Sequence, residues 1–145
     1  MSMYQIEFDE IIDRIVATDP RYDREAYYFV REALDYTQEK VCKRSGGRPR
    51  HVTGKELLEG IREYALKQFG PLAMFVLNEW GIHRTEDFGE IVFNMVDAGL
   101  LLKTKDDKKE DFANGYDFEE VFKKPFLPES KQVKGLPVPK DQSQR

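Results

Sequence analysis

Residues 71–103, PLAMFVLNEWGIHRTEDFGEIVFNMVDAGLLLK, constrain the fold most, because they read as two helices joined by a four-residue turn and followed at once by a strand. Gly70-Pro71 opens the stretch: glycine suits the end of a preceding helix, and proline tolerates a first helical position, where no amide bond is lost. Leu72, Phe75, Val76 and Trp80 then supply a core-facing stripe, Gly81 to Arg84 a turn of helix-turn-helix length, and Thr85 a cap. Phe88, Ile91, Val92, Met95 and Val96 recur at helical spacing until Asp97-Ala98-Gly99. Leu100 to Thr104 follows as a short strand. This order is that of a winged helix-turn-helix.

The rest of the chain is also mainly helical. Phe8, Ile11, Ile12, Ile15 and Val16 predict a helix over residues 7–17, stopped by Thr18-Asp19-Pro20. Asp23 caps a longer one reaching residue 43, with the stripe Ala26, Tyr27, Val30, Ala33, Leu34, Thr37 and Val41. KRSGGRPR, residues 43–50, is a basic loop. Thr53 and Glu56 form a capping box ahead of Leu57, Leu58, Ile61, Tyr64, Ala65 and Phe69. Residues 111–118 offer two readings: they return as the second strand of a small β-hairpin wing, or Asp117 with Glu120 caps a last helical turn over 118–122. Residues 123–145 carry four prolines and little apolar periodicity, which predicts a disordered or loosely docked tail.

The expected organisation is one globular domain over residues 1–122 followed by a flexible Pro/Lys-rich tail over 123–145, as suits a chain of 145 residues. Within the domain, a helical hairpin (1–43) and a basic loop (44–52) precede a winged-helix-like half (53–122). No run of 18 apolar residues and no export signal is visible, and the one cysteine, Cys42, cannot form an internal disulfide. A cytoplasmic protein that makes no membrane contact is the expectation.

Residues 51–122, HVTGKELLEGIREYALKQFGPLAMFVLNEWGIHRTEDFGEIVFNMVDAGLLLKT and then EDFANGYDFEEVF, resemble an uncharacterised bacterial protein family known largely from Planctomycetes and Verrucomicrobia. AYYFVREAL, from Ala26 to Leu34, is similar to the same family's N-terminal part. The resemblance implies a bacterial cytoplasmic protein, and no activity or functional residue comes with it.

Charge argues against the use that helix-turn-helix order suggests. The second helix, residues 85–98, carries Glu86, Asp87, Glu90 and Asp97 and no basic residue, so phosphates would repel it. Basic charge sits in residues 43–55, which hold five basic and no acidic residues, and in the tail. Nucleic-acid contact would therefore fall to Lys43, Arg44, Arg48, Arg50 and Lys55. Gly47-Arg48-Pro49-Arg50 matches part of an AT-hook, but Gly46 stands where another arginine is needed; a solvated basic loop is the simpler account.

An enzyme has least support. His51 and His83 lie in separate loops without metal-ligand spacing, and Glu59 and Glu63 share a helix face with Arg62 beside them. No nucleotide-loop or nucleophile-elbow motif occurs, and an EF-hand alignment on Asn114-Gly115 places Phe112 and Val121 where oxygen ligands are required. No catalytic residue, metal or cofactor is assigned. The expected function is a non-enzymatic winged-helix-like protein-interaction or regulatory module, through a protein partner or self-association. Glu86, Asp87, Glu90 and Asp97, with Phe126 and Leu127 from the tail, form its candidate surface. The alternative is a DNA- or RNA-binding protein using residues 43–55 and the basic tail.

Overall fold

The structure is a computed structural model that describes Ser2, Met3 and residues 7–128. It is mainly helical. Helix α1 (Phe8–Thr18) buries Phe8, Ile12 and Ile15 and ends as the Asp19 amide donates to the Ile15 carbonyl. The longest helix, α2 (Arg24–Arg44), begins at Asp23, whose carboxylate accepts from the Glu25 amide at 2.9 Å. It ends where Gly46 and Gly47 take positive φ angles and the Gly47 amide reaches back to the Cys42 carbonyl at 2.9 Å.

Both arms of the predicted capping box start α3 (Gly54–Phe69): the Glu56 amide donates to the Thr53 hydroxyl at 3.1 Å, and the Thr53 amide to the Glu56 carboxylate at 3.0 Å. The α2–α3 pair forms the most extensive helix contact, and its seam is tight at Gly60, where a Cβ would stand 1.7 Å from the Thr37 hydroxyl oxygen. Glycine is the residue that admits that approach.

Helix α4 (Ala73–Glu79) is rotated from the sequence expectation. Ala73 and Leu77 are fully buried, whereas Leu72 and Phe75 are 62% and 64% exposed. Ala73, Leu77 and Trp80 form a second apolar set at helical spacing, and the fold turns that set inward in place of Leu72 and Phe75. Trp80 does pack inward, with ring centroids 5.6 Å from Phe29 and 5.8 Å from Phe69.

Helix α5 (Thr85–Asp97) is enclosed. Phe88, Gly89, Ile91, Val92 and Met95 are buried, and Asp97 is its one exposed residue. Thr85 does not cap it as expected. The Asp87 carboxylate accepts the amides of His83 at 2.8 Å and Arg84 at 3.3 Å, while the buried Thr85 hydroxyl accepts the Gly115 amide at 3.0 Å. Gly99, at φ +81°, ends the helix and feeds strand β2 (Leu101–Leu102).

The partner of β2 corrects the small β-hairpin. Strand β1 (Ser2–Met3), from the other end of the chain, pairs antiparallel with it, Ser2 opposite Leu102 and Met3 opposite Leu101. Residues 111–118 do not return as a strand: the buried Asp107, accepting the Thr104 amide at 2.8 Å, closes the turn after β2, and the arm that follows is not extended. The 3-10 turn Lys109–Phe112 then drives Phe112 into the core against Gly54 and Gly89. A Cβ at Gly89 would lie 2.9 Å from that of Phe112. The other reading of this arm holds: the Asp117 carboxylate accepts the Glu120 amide at 3.1 Å and starts the π-helical turn Glu119–Lys123, which buries Phe122 beside Phe118.

The head of the expected flexible tail is folded too. Residues 124–126 form a further 3-10 turn, and Lys124 pairs with Glu120. Residues 129–145, the remainder of the predicted disordered segment, lie outside the described residues. Among the described residues no helix is long and apolar enough to cross a membrane.

Candidate functional site

Three of the four acidic residues of α5 hold the fold together rather than serve as a free surface. Glu86 accepts the Asn114 amide at 3.0 Å and so fixes the loop at its one non-glycine residue with positive φ. Asp87, besides capping, accepts the Tyr22 hydroxyl at 2.6 Å. Glu90 bridges Arg21 at 3.0 Å and Lys109 at 3.3 Å. Arg21 also clamps Asp19 from its Nε and Nη2, and Asn94 donates to the same carboxylate at 2.9 Å. The Arg21 guanidinium, against opposing burial, holds the Asp19 carboxyl far below its usual range. Of the four candidate acids, Asp97 alone makes no such contact among the described residues; it lines a groove between α1 and α5.

The basic segment divides in the same way. Arg50 forms a bidentate pair with Glu56 at 2.6 and 3.1 Å and also donates to the His51 carbonyl at 3.1 Å. Beside that guanidinium, and despite burial, the Glu56 carboxyl is lowered to about 2. Lys43 lies 3.4 Å from Glu39. Arg44, Arg48 and Lys55 are exposed and make no ion pair among the described residues. The two arginines of the partial AT-hook thus differ: Arg48 is free and Arg50 is engaged.

The residues considered for catalysis each make contacts within the fold. The His51 Nε2 lies 3.0 Å from the buried Asp107 carboxylate. His83 contacts the Asn78 amide oxygen at 3.1 Å on the surface. Glu59 is bound by Arg62, and Glu63 by Lys40 and the Tyr36 hydroxyl, so the two carboxylates have separate partners. No group of three or more metal-ligating side chains occurs among the described residues.

What the sequence missed is apolar. Leu72 and Phe75, assigned to the core by their spacing, stand three residues apart on the outer side of the Gly70–Leu72 turn and α4, with more than half of each residue in water. The signal that could have found them is the competing apolar set Ala73, Leu77 and Trp80, which also recurs at helical spacing. Of the tail candidates, Phe126 is 46% exposed and Leu127 half-buried. No protein-family profile, curated protein or solved structure matches the chain.

Proposed function

We propose that this protein acts without catalysis as a protein-interaction module whose docking element is the 3-10 turn and α4, with Leu72 and Phe75 entering an apolar cleft of a partner protein. The exposure of these two large side chains, side by side at i and i+3, carries the reading. Burying each fully would stabilise a complex by about 1.5–3 kcal/mol, enough for two anchors to dominate a small interface. A winged-helix-like ancestry of the second half is part of the proposal and is supported by the order α4, turn, α5, β2. The enclosure of α5 weighs against its use in a DNA groove, since a recognition helix needs an exposed face.

A second reading, nucleic-acid binding by residues 43–55, is favoured by one observation, the absence of ion pairs at Arg44, Arg48 and Lys55. It predicts retention on duplex DNA that collapses between low and moderate salt. The first reading is tested by purifying the tagged full chain from its native cell with and without nuclease treatment, beside a Leu72→Ser/Phe75→Ser variant. A partner held by the wild type and lost from the folded variant supports it. Identical profiles, or loss of the partner on nuclease treatment alone, contradict it.

A further inference from the structure

A cavity of about 350 Å³ lies in the groove between α2 and α3, floored by Thr37 and Gly60. Its charged lining is Lys40 and Arg44 from α2, and Lys55, Glu56, Glu59 and Glu63 from α3. Taken by count, this wall is neutral. Taken by pairing, it is not. Glu63 is satisfied within the wall by Lys40, but Glu56 is neutralised by Arg50 and Glu59 by Arg62, and those two guanidiniums are not part of the lining. Arg44 and Lys55, one on each side, are left with no carboxylate partner among the described residues.

We propose that this cavity is an oxyanion site that takes the phosphate of a small phosphate monoester, held between Arg44 on α2 and Lys55 on α3. Arginine offers a planar fork that matches two phosphate oxygens, and lysine a compact charge for the third. The volume accommodates a phosphate and a small organic group, at the low end of small-molecule pockets. A nucleic-acid strand would call for cations in a row along a track, whereas these two flank one concave space. The site is independent of the docking surface at Leu72 and Phe75, and neither reading depends on the other.

The test uses the full chain at low salt, titrated with inorganic phosphate and with a simple sugar phosphate by calorimetry and by amide NMR. Saturable binding of one anion per chain is expected, with amide shifts at Thr37 and Gly60 and tighter binding of the ester. Arg44→Gln/Lys55→Gln should weaken it about tenfold or more, as expected for two charge-assisted contacts. Arg84→Gln, which changes an exposed arginine outside the cavity, should leave it unchanged. An oligonucleotide with a 5′-phosphate should compete better than the same strand without one. No saturable binding at millimolar phosphate would overturn the proposal. So would an equal effect of Arg84→Gln, or equal competition by the two strands, because either result means diffuse attraction to basic charge.

Discussion

Replacing Gly60 by alanine tests the α2–α3 seam directly. In an open helix the change is favourable by about 1 kcal/mol, because glycine loses more backbone entropy on folding. Here the new methyl would meet the Thr37 Oγ1 at 1.7 Å, its Cβ at 2.8 Å and its Cγ2 at 3.0 Å. Rotating Thr37 does not clear it, since the Thr37 Cβ stays at 2.8 Å in every rotamer, and its hydroxyl is held by the Ala33 carbonyl at 2.7 Å. The helices must part. Overpacking of this kind costs about 3 kcal/mol at the upper end of its usual range, so the net loss expected is about 2 kcal/mol. For a domain of this size that lowers Tm by roughly 8 °C. Urea unfolding followed by circular dichroism gives the free energy, and Thr37→Ala supplies the control. The double variant keeps only the Cβ contact and should recover about 1 kcal/mol relative to the sum of the single changes. A neutral or stabilising Gly60→Ala, or strict additivity, would refute the packing argument.

Glu56→Gln should cost about 1 kcal/mol near neutrality by breaking the Arg50 pair and weakening the capping box. Because the folded carboxyl is lowered from 4.5 to about 2, its contribution is present above the ordinary pKa and fades as pH falls through that interval; thermal melts of wild type and variant should converge there, and a gap that stays constant down to pH 2 would count against it. Tyr116→Phe removes the hydroxyl that donates to the Leu58 carbonyl at 2.8 Å and should cost about 1 kcal/mol. Burial raises that phenol's pKa, so wild type and variant should show the same phenolate absorbance until alkaline unfolding. Leu72→Ser/Phe75→Ser should change unfolding free energy by no more than about 0.5 kcal/mol, as surface substitutions do; a loss of 2 kcal/mol or more would place these side chains in the core after all.

Local chemistry was legible in this chain and long-range chemistry was not. Asp23, the Thr53 and Glu56 box, Gly99 and the Asp117 cap act where their spacing placed them, because each bonds backbone within a few residues. Strand β1 pairs with residues nearly a hundred positions away and is two residues long, too short to carry a period. The spacing of α4 offers two apolar faces, and local pattern alone does not tell which of them tertiary packing covers, so Leu72 and Phe75, the side chains that matter most to the proposed function, read as core. Counting charge by helix made α5 look like an acidic surface. Glu86, Asp87 and Glu90 instead accept from Asn114, Tyr22, Arg21 and Lys109, contacts that come from distant segments and leave no trace in the sequence of the helix itself.

The docking claim is tested most directly by a photoreactive phenylalanine analogue placed at position 75 of the full chain in its native cell, with the same analogue at the exposed position 97 of α5 for comparison. The account predicts a discrete protein adduct on illumination from position 75, resistant to nuclease and absent from position 97. Adducts of equal pattern from both positions, or none from position 75, would contradict it.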